Sequence, residues 1–337
     1  LKMENNSSAS SIEKSLAERL KAASEDSARY IAAIEKIVLG QSEVVKLSVA
    51  CYFARGHLSL KGLPGSGKTF LASAMTQGLG EEFRRVQGTP DLMPADITGS
   101  MVYDQKTGDL KFIKGPVFSK ILFVDEINRA SPKAQSALLE AMEEKQVTID
   151  GESRLLSGEF FVVATQNPQD DAGTYPLPSA QEDRFTVCIF VERPDAETEL
   201  KIALARKGGK KASIPAVLDS ARLPEIMDLV DDVEIGDDLA RRCLALIRNM
   251  RPDEATAPQE VKDRVLVDPG TRALTALIRT SKALALVEGR TRVEISDVRR
   301  VAPAVLNHRV VLSHATRHDG FENVFNKVMV DVGLAPK

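Results

Sequence analysis

Residues Gly62-Leu63-Pro64-Gly65-Ser66-Gly67-Lys68-Thr69 form a G-x-x-x-x-G-K-[ST] string between the apolar run His57-Leu58-Ser59-Leu60 and a helix-forming stretch from Phe70 to Gly78. This setting leaves the chain few options. A strand must enter the loop, a helix must leave it, and the glycines must let backbone N–H groups turn inward on phosphate oxygens. Lys68 adds a positive charge there, and the Thr69 hydroxyl is a ligand suited to Mg²⁺. The predicted nucleotide-binding set is Gly62, Pro64, Gly65, Ser66, Gly67, Lys68, Thr69 and Phe70. A Gly-rich turn with a solvated lysine is the plain alternative, and the flanking strand and helix argue against it.

A parallel sheet around such a loop needs several more buried strands, and the chain supplies them. Short apolar runs at 57–61, 83–87, 120–125, 160–165 and 186–191 alternate with helical patterns, as in βαβ units. Two further segments alternate about turns. Ser100 to Phe112 folds about Gly108 and reads as a hairpin inserted into a helix, and Val147 to Leu155 folds about Asp150-Gly151, a strong hairpin signal. After Glu192-Arg193-Pro194 the strand-like runs nearly stop. Residues 236–250, 271–287 and 296–307 carry helical spacing, with Gly289 past the second, Ser296 as cap of the third and Pro303 expected to bend or break it. The expected division is a disordered tail over 1–11, an α/β nucleotide-binding domain over 12–193, a linker over 194–221 and a helical lid over 222–337.

The chain has 337 residues, 43% hydrophobic and 28% charged, enough for two globular domains. Its net charge of -3 supplies no overall basic field for nucleic acid. Cys51, Cys188 and Cys243 fit no paired metal spacing and read as reduced thiols. No apolar run is long enough to span a membrane and the first residues have no secretory core, which predicts a cytoplasmic protein. His314 and His318 are four apart, but Arg317, Asp319 and Gly320 around them read as a polar turn rather than a metal site.

Ile121-Leu122-Phe123-Val124-Asp125-Glu126 is four apolar residues followed by two acids, the pattern of a buried parallel strand that delivers carboxylates at its C-terminal end. Opposite Thr69, Asp125 would hold Mg²⁺, and Glu126 would orient and deprotonate a water attacking the γ-phosphate of ATP. Asn167, after the run Phe161 to Gln166 and before Pro168, either points at the same water or simply forms a turn.

Several stretches together are similar to one family, the MoxR-type AAA+ ATPases. They are Thr89 to Gly99, Val124 to Ala130, Leu138 to Glu144, Ala164 to Pro168 and Gly173 to Phe185, which cover most of 37–192. The two hairpins resemble those of the AAA+ branch shared with magnesium chelatase motor subunits and replicative helicases. The resemblance implies an α/β P-loop AAA+ domain followed by a smaller all-helical lid. It implies Walker A roles for Lys68 and Thr69, Walker B roles for Asp125 and Glu126, a sensor 1 role for Asn167, and adenine contacts from Val38, Gly40 and Gln41. Arg184, in Asp183-Arg184-Phe185, matches the arginine finger that enters a neighbouring subunit's site, and Arg272 matches the sensor 2 arginine of the lid. Glu182 stands where the family has leucine. Asn307-His308-Arg309 resembles a recurring lid segment that is structural or at a subunit contact.

By the same resemblance the working unit is a hexameric ring that binds ATP and Mg²⁺ and hydrolyses ATP to remodel or activate a protein partner with a von Willebrand factor A domain. A nucleic-acid motor and the motor subunit of a tetrapyrrole chelatase are the alternatives. A DNA motor calls for basic hairpin tips, and here Lys106 and Arg154 stand beside Asp104, Asp109, Asp150 and Glu152.

Overall fold

The computed structural model describes residues 4–168, 173–205, 213–313 and 320–335. At its centre is a five-stranded, wholly parallel sheet of β1 (Leu58–Lys61), β2 (Arg84–Gln87), β5 (Ile121–Asp125), β8 (Phe161–Gln166) and β9 (Val187–Phe190), in the order β2-β5-β8-β1-β9. These are the five strands expected. The apolar runs are continuous because both faces of the sheet are covered, and successive side chains alternate between two cores. Leu58, Leu60, Ile121, Phe123, Phe161 and Val163 pack on one face with α1 (Glu4–Glu35), α2 (Ser42–Phe53) and α3 (Lys68–Gly78). Leu122, Val124, Val162 and Ala164 pack on the other with α4 (Pro94–Thr98) and α5 (Pro132–Glu144). Ser131 caps α5 through its hydroxyl, which accepts from Ala134 N at 3.3 Å, and Pro132 opens the helix.

Both expected hairpins form, as β3 (Gly99–Asp104) with β4 (Asp109–Lys114) and β6 (Gln146–Ile149) with β7 (Glu152–Leu155). The first lies between α4 and a short 3-10 turn over Pro116–Phe118. Arg154 does not reach outward as a phosphate grip. Its guanidinium lies 4.3 Å from the centre of the Phe112 ring and pairs with Glu152 at 2.6 Å, which ties the hairpins together.

The helical part comprises α8 (Leu223–Asp232), α9 (Asp237–Asn249), α10 (Gln259–Arg264), α11 (Thr271–Val287), α12 (Ile295–Leu306) and α13 (Gly320–Asp331), with a small antiparallel pair of β10 (Val265–Val267) and β11 (Val311–Leu312). Short helices α6 (Ser179–Glu182) and α7 (Ala196–Ala205) connect it to the sheet. Five expectations change. The tail over 1–11 is helical from Glu4, and α7 occupies part of the segment expected as linker. The cap of α12 is Glu294, whose backbone N–H bonds Asp297 Oδ2 at 2.8 Å, so Ser296 lies inside the helix. Pro303 does not end α12, because Val301, Ala302, Val305 and Leu306 around it are all buried and the packing outweighs one lost hydrogen bond. The boundary near 193 also does not divide two cores: residues of α1 and α2 share one apolar cluster with those of α8, α11 and α12. The chain therefore returns to cover its own first helices. The Lys207 to Lys211 connection and the pair His314 and His318 lie outside the described residues.

His57 closes the start of β1. Its Nδ1 accepts from Val162 N at 3.1 Å, so the ring proton sits on Nε2 and is donated to Met142 O at 3.2 Å. A second proton would have to face an N–H, and burial lowers the imidazole pKa to about 4. Since the folded pKa lies below the unfolded one, this group's stability is whole above pH 6.5 and is lost as pH falls towards 4, by about 3 kcal/mol. Denaturant unfolding at pH 7 and pH 4.5 should show a smaller acid loss for His57→Gln than for the wild type. Equal losses would contradict this. His308 is also held neutral, mainly by burial, and will add acid sensitivity of the same sign.

Candidate nucleotide site

β1 delivers the chain into the phosphate loop, and Gly62 N bonds Gln166 O at 3.3 Å where β1 lies beside β8. Gly67 is the residue before α3 and has φ 88°, a left-handed conformation that β-branched or bulky side chains avoid. The Lys68 ammonium donates to Gly62 O at 2.7 Å, Leu63 O at 2.8 Å and Ser66 Oγ at 3.2 Å, all within its own loop. Its pKa is lowered, first by desolvation, while Asp125 and Glu126 act to raise it. The ammonium and the two carboxylates thus share one field. Gly62 and Ser66 are buried, Pro64, Gly65 and Phe70 exposed, and Thr69 partly buried at the start of α3.

The loop between α1 and α2 reaches the same place. Val38 is buried, Gly40 has φ 73°, and Gln41 Nε2 donates to Ser66 O at 2.9 Å. Gln41 Oε1 is buried with no hydrogen-bond partner, an acceptor that suits a donor brought by a ligand.

At the end of β5 the two acids are separately positioned. Thr165 Oγ1 donates to Asp125 Oδ1 at 2.6 Å and accepts from Glu126 N at 2.8 Å, so one hydroxyl on β8 fixes both residues. Arg85 pairs with Asp125 Oδ2 at 2.7 Å. Glu126 has φ 53°, and its Oε2 accepts from Gln87 at 3.1 Å and Arg129 at 3.2 Å. A left-handed non-glycine residue costs roughly 1–3 kcal/mol, and here it turns Glu126 out of line with Asp125. Sequence reasoning missed Thr165, Arg85, Gln87 and Arg129. Only their positions at strand ends beside β5, or three residues past Glu126, would have signalled them. Asn167 stands just past the end of β8, the strand between β5 and β1.

Gly88, after β2, makes this close fit possible. Its N–H bonds Asp125 O at 2.7 Å, and a Cβ there would stand 2.1 Å from Glu126 O. Gly88→Ala must displace the acidic turn. We expect a fall of about tenfold or more in ATP turnover with nucleotide affinity nearly unchanged, readable from steady-state hydrolysis beside equilibrium binding of a fluorescent ATP analogue. Unaltered turnover would contradict the fit.

A hydroxyl at Thr69 and a carboxylate at Asp125 are hard oxygen donors and fit Mg²⁺, which is held by few protein ligands and completed by phosphate oxygens. Among the described residues there is no cluster of three or more His, Cys, Asp or Glu able to cage a metal by itself.

Arg184 and Arg272 are elsewhere. Met142 O bonds His57 at the entry of β1, so the next residue, Glu143, lies at that end, whereas the phosphate loop leaves the other. The four residues of β1 alone span about 13 Å. Arg184 Nε donates to Glu143 Oε2 at 2.8 Å, and Arg272 pairs with Glu143 Oε1 and, at 3.4 Å, with Asp183. Among the described residues neither arginine is hydrogen-bonded or ion-paired to the phosphate loop, Asp125 or Glu126. Glu182, the departure from the family pattern, forms an ion pair with Lys61 at 2.8 Å. His308 and Arg309 are buried against this segment and Asn307 is partly buried: Asn307 donates to Cys188 O at 2.9 Å, His308 Nε2 to Phe185 O at 2.9 Å, and Arg309 to Asp183 at 2.7 Å.

A parallel sheet with a phosphate loop after its β1, two carboxylates after the adjacent β5 and a following helical lid defines an ATP-hydrolysing P-loop protein of the AAA+ class. The family described as "ATPase family associated with various cellular activities (AAA)" matches residues 57–187, and the AAA lid domain matches 262–326. Chaperone MoxR1 of Mycobacterium tuberculosis is 36% identical over 308 residues, 91% of this chain and 81% of that protein. Protein MoxR of Paracoccus denitrificans is 32% identical over 301 residues, 84% of this chain and 88% of that one. The crystal structure of a candidate ATPase from Cytophaga hutchinsonii superposes with a TM-score of 0.87 at 33% identity, covering 94% of this chain and 97% of the other. The chain belongs to the MoxR family of AAA+ ATPases and hydrolyses ATP.

Proposed function

We propose that this chain is one subunit of an ATP-driven ring, a hexamer, that remodels or activates a protein partner as a chaperone. The observation that carries this reading is that Arg184 and Arg272 share one carboxylate, Glu143, and that among the described residues neither pairs with the phosphate loop of its own chain. ATP seated on Gly62 to Thr69 needs positive charge at the γ-phosphate beyond Lys68, and a neighbour in a ring supplies it with both arginines. Thr69 and Asp125 would hold Mg²⁺, which would neutralise phosphate charge. Glu126 orients the attacking water and accepts its proton, with Asn167 beside it, while Val38, Gly40 and Gln41 line the adenine end. Loss of the γ-phosphate removes contacts from two subunits at once, and that difference drives motion.

The hairpins support a protein client. Tyr103, Leu110 and Leu155 on them are exposed apolar side chains, and Arg154 is already engaged by Phe112 and Glu152. A partner with a von Willebrand factor A domain is the client we propose. The test is recovery of bound partners from the native cell with tagged Glu126→Gln protein after nuclease treatment, alongside sizing with and without ATP. Recovery of such a protein with an ATP-stabilised hexamer is the expected result. A monomer with ATP, or DNA-stimulated hydrolysis with no protein partner, would overturn the reading.

A further inference from the structure

Five charged side chains alternate in sign where the lid meets the sheet. Arg309, 4% exposed, donates through Nε to Asp183 Oδ1 at 2.7 Å and through its other nitrogens to the backbone oxygens of Asp183, Phe185, Thr186 and Val305. Asp183 also takes Arg272 on Oδ2 at 3.4 Å, Arg272 pairs with Glu143 Oε1, and Glu143 Oε2 takes Arg184 at 2.8 Å. The chain is Arg309, Asp183, Arg272, Glu143, Arg184. It begins in the lid, crosses to the segment before β9, returns to α11 and ends at α5 and Arg184.

Glu143 is the decisive member. It is the one carboxylate here that touches both arginines proposed to reach the neighbour's γ-phosphate, one through each oxygen. Two guanidinium groups side by side repel, and the carboxylate between them removes that repulsion. Its position is itself fixed, because it follows Met142, whose carbonyl is tied to His57, at the end of α5. Arg184 spends Nε on Glu143 and Nη1 on Ala180 O at 3.1 Å, leaving Nη2 without a hydrogen bond among the described residues. The pair is held with donors to spare.

We infer that Glu143 is a positioning residue for the reaction in the neighbouring subunit: it gathers Arg184 from the sheet domain and Arg272 from the lid into one unit and sets their spacing for the γ-phosphate. This rests on the reading that the arginines act in trans. Lid and finger then move together, because Arg309 and Asp183 bind the same unit to the core.

Glu143→Gln keeps the shape and loses the charge. Its turnover is expected to fall about tenfold or more, since small misplacements of such groups are costly, with affinity for a fluorescent ATP analogue and melting temperature unchanged. Glu143→Asp, which keeps the charge on a shorter arm, should fall between it and the wild type. The decisive readout is subunit mixing. E143Q subunits have an intact hydrolytic site and a misplaced arginine pair; E126Q subunits have the reverse. Mixed together they should hydrolyse ATP faster than the sum of the two alone. R184A mixed with E126Q tests the trans reading by itself. Recovery with R184A but not with E143Q overturns the role of Glu143 and leaves the trans reading standing. No recovery with R184A overturns that reading and the inference with it.

Discussion

Glu126→Gln is expected to lower ATP hydrolysis by about 10²–10⁴, the usual contribution of a positioned general base, while ATP still binds. Glutamine cannot take a proton from water at neutral pH, yet its amide oxygen can still accept from Gln87 and Arg129, the two groups that hold Glu126 Oε2. The phosphate loop is untouched, because Lys68 is held by Gly62 O, Leu63 O and Ser66 Oγ rather than by Glu126. Single-turnover hydrolysis beside equilibrium binding of a fluorescent ATP analogue separates the two effects. Hydrolysis near the wild-type rate would move the base elsewhere, and loss of binding would show that the variant had disturbed the loop.

Arg184→Ala should have the larger effect on rate, roughly 10³–10⁵, the range for an arginine that stabilises charge on a transferring phosphoryl group. Its effect on stability should be small. The ion pair with Glu143 is about one-third exposed on both sides, at 30% and 32%, and such pairs contribute about 0–1 kcal/mol. A large rate loss with a nearly unchanged melting temperature is therefore the expected signature. A large fall in melting temperature would instead make Arg184 a structural residue, and a rate loss under tenfold would leave γ-phosphate charge stabilisation to other groups.

The phosphate loop and the five strands were legible in sequence because their physics is local. Gly62 to Thr69 and the run Ile121 to Val124 each state their structure within a few residues, since a buried parallel strand must be apolar on both faces. Caps and bends were less legible. Ser296 is a good cap by type, but Glu294 and Asp297 form the reciprocal pair that starts α12 two residues earlier. Pro303 breaks an isolated helix, and here the buried residues of α12 around it override that tendency.

The supporting residues of the site could not be read at all. Thr165 acts on Asp125 and Glu126 from a strand forty residues away, and only the pairing of β5 with β8 brings it there. Arg184 and Arg272 were found through family likeness. That likeness could not say that both rest on Glu143, at the end of β1 opposite the loop, because this depends on how α5, α6 and α11 pack. Nor did the sequence show that α1 and α2 share a core with the lid: a contact between the first and last thirds of a chain leaves no periodic trace.

The central claim is that ATP held by Gly62 to Thr69 meets its last positive charges from a second copy of the chain. A structure of the Glu126→Gln protein assembled with ATP and Mg²⁺ tests this most directly. The account predicts that Arg184 of the partner subunit lies within hydrogen-bond distance of the γ-phosphate, with Arg272 of the partner subunit beside it. An assembled ring in which both arginines stay away from every γ-phosphate, or in which each reaches the ATP of its own subunit, would contradict it.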